Sequence, residues 1–381
     1  MLEFLGIKNF KAFKSAQFAL KNLSIISGVN GVGKSSFIQS LLLLRQSYEK
    51  NVINTGLLLN GDYVNIGFGR NAIYHWHDND EIAFILRWSD VQEKSVFSYK
   101  LRDNSNFLQV SENHKIAEQD ILSKQSLFNI KLKFLSAERE SPKDGYDPSD
   151  YHVLHNESIG TKGEYTAHYM HSMQKQELPI HALRHPKATS YDFIENVRAW
   201  MSEFTPFLKI DTGYKETINK VFLDYCLPYL GLENVSGHVR FSPLNVGFGL
   251  SMVIPVINSV LSAKPGDLLI VENPEAHLHP AAQTLIGKLY AIAAANGVQV
   301  IIETHSDHLF NGVRIAVKQN KISCNDVSIF FITAKLIKNE FASEVTTSEI
   351  SQDGRIALWP DGFFDQWDKD LDELLWAHVL Y

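Results

Sequence analysis

The chain has 381 residues, 45% hydrophobic and 21% charged, the balance of an ordinary folded, water-soluble protein. That composition excludes a collagen, a mucin-like or disordered chain and a miniprotein stapled by cysteines. Its 36 basic and 43 acidic residues give a formal charge of −7, so the whole chain is not a basic nucleic-acid binder and DNA contact would need a local patch.

In chain order, the N-terminus reads as strands at Leu2–Ile7 and Ala16–Leu20, then a buried strand at Leu23–Ser27. A glycine-rich turn opens a helix over Ser35–Arg45, and Ile82–Trp88 with Ser95–Leu101 alternates like an antiparallel pair. The middle, 105–235, is less regular. It holds an apolar strand at Ile130–Leu135, polar loops at Ser141–Asp150 and Asn156–Thr166, and a helical pattern at Tyr191–Phe204. Beyond it a turn at Asn245–Gly249 leads into a helix ending near Leu261. Strand Leu268–Val271, helix Ala281–Asn296 and strands Val298–Glu303 and Ser328–Thr333 complete the set. Strand–helix alternation in this half predicts a mainly parallel α/β core. The first and last strands are expected to share one sheet, making 1–104 and 236–381 a discontinuous head and 105–235 an inserted α+β lobe.

Gly28-Val-Asn-Gly-Val-Gly33-Lys34-Ser35 satisfies G-x-x-x-x-G-K-[ST] at every fixed position, between an apolar strand and a helix. Glycines let backbone N–H groups wrap phosphates, and the helix N-terminus adds partial positive charge. Asn30, Gly31, Val32, Gly33, Lys34, Ser35 and Ser36 are therefore the expected nucleotide cradle. Lys34 would bridge the β- and γ-phosphates and Ser35 would ligate Mg2+. The bland alternative is a glycine-rich turn with a chance Lys-Ser.

Leu268-Leu-Ile-Val-Glu272 ends an apolar strand in an acid, the Walker B position, where a carboxylate holds the water shell of Mg2+. Another buried strand ends in Glu303-Thr304-His305-Ser306, and strand ends at one edge of a parallel sheet converge on the ligand crevice. His305 there would sense or stabilise the γ-phosphate. A rival reading makes His277 and His279, with Glu275 and His305, a metal site, and hence a metal-dependent nuclease. Their i, i+2 spacing is not H-E-x-x-H and has no cysteine partner, and polar histidines shaping a turn explain them as well.

Together with the opening Ile7-Lys-Asn-Phe10-Lys-Ala-Phe13, these blocks resemble the ABC-type ATPases of the RecF/SMC/OLD group. Phe134-Leu-Ser-Ala-Glu-Arg139, Asn245-Val-Gly-Phe-Gly249-Leu-Ser251 and Trp359-Pro-Asp-Gly-Phe-Phe-Asp365-Gln resemble more closely the short stand-alone OLD-like ATPases that lack a Toprim nuclease domain. The resemblance implies an α/β P-loop NTPase of ABC-ATPase head type, a mixed sheet with helices and an inserted lobe between Walker A and the signature segment. It also implies a homodimer, or a higher homo-oligomer, built head to head around ATP and Mg2+. Gly247, Gly249 and Ser251 fall where the signature segment would clamp the partner protomer's γ-phosphate. The resemblance further implies a cytoplasmic component of bacterial phage defence or DNA repair, a separate effector such as a nuclease, and possible DNA contact. A RecF-like ATP-dependent DNA clamp is the alternative within the same resemblance.

Two departures from that pattern matter. Where most such ATPases follow the Walker B acid with a glutamate base, this chain has Asn273, which cannot take a proton from water. Glu275 or His305 takes over, or hydrolysis is slow and ATP acts mainly as a dimerisation ligand. There is also no heptad run for a coiled-coil arm and no room after the last core strand for a Toprim domain.

The remaining signals are weaker. Arg139 reaches a phosphate or makes a structural ion pair. Lys8, Lys11 and Lys14 form either a DNA-facing edge or a solvated loop, and Arg184, His185 and Lys187 a second basic spot. In the acidic tail 361–373, Phe364, Trp367, Leu371 and Leu374 are expected to pack one helical face on the sheet. Cys226 and Cys324 suit a reducing compartment and read as buried thiols. There is no signal-peptide h-region, and no apolar run reaches the roughly 18 residues of a membrane span.

Overall fold

In the computed structural model, residues 1–228, 238–337, 340–357, 359–360, 362–364 and 366–376 are described. Packing divides the chain into two units: 1–129 with 303–307 and 323–381, and 130–302 with 308–322. The division falls after Asn129, inside the stretch expected as one inserted lobe.

In the first unit, β1 (Leu2–Phe10) pairs antiparallel with β2 (Phe13–Ala19) and with β5 (Glu81–Trp88), which pairs with β6 (Ser95–Lys100). Ile82, Phe84, Leu86 and Trp88 are buried at every second position of β5, so the expected alternation sets the buried face. β3 (Leu23–Gly28) is buried along its whole length, as befits a strand covered on both faces. It pairs in parallel with β14 (Val327–Ile337), which turns back antiparallel into β15 (Glu340–Ser348). α1 (Lys34–Glu49) buries Phe37, Ile38 and Leu41 to Leu44. Phe18 presents edge-on contacts to Phe37 at 4.6 Å and Phe330 at 5.2 Å, pairs worth about 0.5–1.5 kcal/mol each beyond area burial. A short pair, β4 (Gly56–Leu58) and β7 (Phe107–Gln109), and two single-turn helices, α2 (Gly69–Ala72) and α3 (Gln119–Leu122), complete the N-terminal part.

In the second unit, β12 (Leu268–Glu272) runs parallel to β8 (Leu132–Leu135) and has β13 (Gln299–Glu303) on its other side. Helices α6 (Phe248–Leu261), α7 (Pro280–Ala295) and α8 (Asp307–Lys318) accompany these strands. α7 and α8 cross with their backbones in contact. A Cβ on Gly287 would lie 2.1 Å from the Leu309 carbonyl oxygen, and one on Gly312 2.1 Å from that of Thr284. The rest of this unit holds α4 (Thr166–Ser172), α5 (Phe193–Met201) and an antiparallel sheet of β9 (Lys209–Lys215), β10 (Lys220–Pro228) and β11 (His238–Phe241).

Three expectations change. α8, β15 and the β9–β11 sheet exist where the sequence reading placed nothing. The tail helix, α9, spans Gln366–Trp376, so Phe364 precedes it; Leu374 is 71% exposed, and the expected buried face does not form there. Phe363 is buried instead, with its ring 5.1 Å from Phe331 and 5.3 Å from Trp359. Asp361, Asp365 and the Trp367 side chain lie outside the described residues. Cys324, in the turn before β14, is half-exposed, whereas Cys226 is buried; both are free thiols. Among the described residues no helix is long and apolar enough to cross a membrane.

The α7–α8 crossing yields a test. Gly287→Ala is expected to cost about 1–3 kcal/mol through overpacking, seen as a lower urea midpoint at unchanged slope.

Candidate nucleotide site

In the first unit the chain leaves β3 through an exposed turn, Val29 to Gly31, and enters α1 at Lys34. Gly31 has φ +80°, and a Cβ there would meet nothing within 4 Å, so the loop faces open space at that point. Lys34 is 4% exposed and its Nζ donates to the carbonyl oxygens of Gly28 at 2.9 Å and Val29 at 2.7 Å. Burial holds the Lys34 ammonium below the usual lysine range, and the nearby Glu303 charge opposes that. Ser35 Oγ donates to both Glu303 carboxylate oxygens, at 3.3 and 3.4 Å. Glu303 is itself 4% exposed, and the following Thr304 N–H donates to the Ile26 carbonyl at 3.0 Å, which fixes this strand end beside β3. The exposed His305 has its imidazole held below the usual range, first by loss of water and then by the Lys34 charge.

The flank of the loop is braced. Val32 is buried and its carbonyl accepts from Ser343 Oγ of β15 at 2.5 Å, while the Ser343 N–H donates to the Ala12 carbonyl at 3.0 Å. Gly33 caps α1 with φ +104°, and Ser36 is buried beneath the first turn. The residues present suit a nucleotide phosphate with a hard divalent cation such as Mg2+. A buried ammonium, a wide glycine loop and a hydroxyl–carboxylate pair of oxygen donors are the groups those ligands need.

Glu303 is the carboxylate that sequence reasoning passed over as a site residue. It carries the same signal as Glu272, an acid closing an apolar strand. Its hydrogen bond to Ser35 spans 268 positions, a distance no motif spacing encodes.

In the second unit, Glu272 closes β12. Its Oε2 accepts from the Ala137 N–H at 3.0 Å, and burial pushes its carboxyl above the usual range. Arg139 Nη2 donates to the Glu272 carbonyl at 2.8 Å, and burial lowers the guanidinium to about 10. Arg139 is thus tied to the end of β12. The turn after Glu272 holds Asn273 and His277 at positive φ, 43° and 64°, and Glu275 is buried in it. His279 Nδ1 accepts from the Ala281 N–H at 3.4 Å and caps α7, while the His277 ring meets the Phe248 ring edge-on at 5.0 Å. Among the described residues no group of three His, Cys, Asp or Glu could hold a metal. Capping engages Nδ1 of His279 and ring packing the face of His277, as the turn-shaping reading of the two histidines expects.

Gly247 caps α6 and is exposed, as is Phe248. A Cβ on Gly249 would stand 2.6 Å from the His277 carbonyl oxygen. Ser251 turns inward, 9% exposed, with its Oγ 3.4 Å from the Tyr225 hydroxyl. The structure thus separates the three signature residues: only Gly247 is exposed at the helix start. Of the N-terminal lysines, Lys11 donates to Gln39 at 2.7 Å, and Lys14 pairs with Glu340 at 3.2 Å and Asp78 at 3.3 Å. Those two are not a free basic edge.

Residues 70–311, well over half the chain, match the family described as "AAA domain, putative AbiEii toxin, Type IV TA system". Residues 322–374 match a family described as a protein of unknown function. No curated protein matches. Among solved structures, the SMC head bound to the C-winged helix domain of ScpA aligns with a TM-score of 0.54 and 12% identity over 92% of this chain and 98% of that one. The Smc head domain with an extended coiled coil bound to the C-terminal domain of ScpA, derived from Pyrococcus furiosus, gives 0.51 and 11% over 98% and 99%. At these identities the likeness shows the fold: a mixed α/β P-loop ATPase head of the SMC type.

The Glu272 geometry makes a pH prediction. A carboxyl whose folded pKa is raised is penalised in its charged form, and the penalty disappears once pH falls below the unfolded value near 4.3. Glu272→Gln is therefore expected to be more stable than the parent at pH 8. That advantage should shrink toward zero by about pH 4, as read by urea unfolding at both values.

Proposed function

The chain belongs to this AAA-domain family, and on that premise we propose that it is an ATP- and Mg2+-dependent switch with slow turnover. In this reading it pairs head to head with a second copy around two nucleotides and controls a separate effector. The observation that carries the reading is the Ser35–Glu303 pair beside Lys34, because a hydroxyl and a carboxylate next to a P-loop ammonium form an oxygen site for a phosphate-bound divalent cation. Family membership supports nucleotide binding and hydrolysis.

On this reading Lys34 exchanges the Gly28 and Val29 carbonyls for β- and γ-phosphate oxygens, a like-for-like replacement of acceptors that strengthens with the ligand's charge. Ser35 and Glu303 would hold the Mg2+, and bound there the ion would supply charge neutralisation across the phosphates. His305, whose imidazole is held below its usual range, would contribute a hydrogen bond to the γ-phosphate. Asn273 offers no basicity, and slow turnover follows. The exposed Gly247 and Phe248 at the start of α6 support a clamp on a second protomer's nucleotide. A phage-defence setting in the manner of the OLD-like branch draws support from the family's description, which names a toxin–antitoxin system.

Three measurements test this. Lys34→Ala should lose ATP affinity by about a hundredfold or more, and unchanged affinity sinks the proposal. Glu303→Gln should bind ATP but hydrolyse it about 100-fold more slowly, read as single-turnover phosphate release. Sedimentation velocity should show the parent moving from monomer to dimer with ATP and Mg2+, with Gly247→Arg remaining monomeric.

A further inference from the structure

A cleft of about 590 Å3 opens in the second unit, between α5, the turn after it and the β9–β11 sheet. Its volume is that of a small-molecule site. The walls include Lys187, Arg198, Phe207, Lys209, Asp211 and Arg240, and nothing in the nucleotide reading above uses them.

Three features make this a built site. First, Lys209, Cys226 and Arg240 stand directly opposite one another across β9, β10 and β11, so they form one row on one sheet face. Two cations thus straddle a small central thiol, about 10 Å apart by strand spacing. Second, the charges do not cancel. Arg198 is fixed by the Ile210 carbonyl at 2.7 Å, Glu195 at 2.9 Å and Asp211 at 2.7 Å, which engages both carboxylates of the wall. Lys187 is held by Glu203 at 2.7 Å. Among the described residues Lys209 has no ion-pair partner, and the 65%-exposed Arg240 reaches only Asp211 at 3.5 Å and Asp224 at 3.4 Å. Such long, solvated contacts yield readily to a better anion.

Third, Phe207 sits at φ +65° with 72% of its surface exposed. A bulky residue in the left-handed region carries backbone strain, and here that strain holds an aromatic face open to water two residues from Lys209. An aromatic plate beside two underused cations matches a flat base joined to a phosphate. We propose that this cleft binds a nucleotide unit, its base stacked on Phe207 and its phosphate between Lys209 and Arg240, either free or within a single strand. This assignment rests on no part of the ATPase reading.

The test uses full-length protein carrying Lys34→Ala, so that the P-loop does not report. AMP is titrated by calorimetry and fluorescein-labelled dT10 by anisotropy. Binding of either probe is expected, weakening as salt rises, with Phe207→Gly and Lys209→Gln each lowering affinity at least about tenfold. Phe207→Gly keeps the backbone conformation at no steric cost, and urea midpoints no lower than that of the Lys34→Ala parent confirm the fold of both variants. AMP binding assigns a free nucleotide, and binding of dT10 alone assigns a single strand. The proposal is overturned if neither probe binds, if both variants bind like the parent, or if inorganic phosphate binds as tightly as AMP.

Discussion

An ammonium with almost no access to water sets the terms for the phosphate loop. Lys34 cannot remain charged at 4% exposure without oxygen partners, and the loop supplies two of its own carbonyls. That demand explains the local architecture. β3 must be covered on both faces to place Gly28 and Val29 at its end, and α1 must start abruptly enough to aim Lys34 back over them. Any anion entering the loop competes with backbone acceptors already at hydrogen-bond distance. Affinity therefore reflects an exchange of partners, not the filling of an empty charge.

Ser35 and Glu303 extend the same logic. A serine hydroxyl at a helix start and a glutamate at a strand end meet because the Thr304 amide ties that strand end to Ile26 of β3. Two groups with little in common in sequence become one oxygen cluster through backbone pairing.

Much of this was legible in the sequence because its signals are local. The P-loop, the wholly apolar β3 and the alternating β5 each declare themselves within ten residues, and helices α5, α6 and α7 appear close to their expected limits. α8 was not expected although Leu309, Phe310, Val313, Ala316 and Val317 follow a helical period, because it opens on polar residues and follows directly on the Glu303–Ser306 strand end. β10 was missed for a different reason. Val221, Leu223 and Tyr225 alternate inward, but the flanking β9 is mostly solvated, and of the residues it sets opposite them only Ile210 is a buried hydrophobic. The partner of Ser35 was beyond reach, because only the folded sheet brings position 303 beside position 35. The tail failed on phase: starting the helix at Gln366 instead of ahead of Phe364 handed the buried position to Phe363.

The bond from Ser343 to the Val32 carbonyl couples the two ends of the polypeptide mechanically. The P-loop and β15 stand 311 positions apart, yet one hydroxyl latches them. Whatever displaces Val32 must break that latch or carry β15 along. β15 is one arm of a hairpin whose far end pairs Leu336 with Phe341, both exposed at 70% and 43%. Strain applied at the phosphate loop thus has a stiff, hydrogen-bonded lever by which to leave it, and that lever ends in apolar side chains facing water.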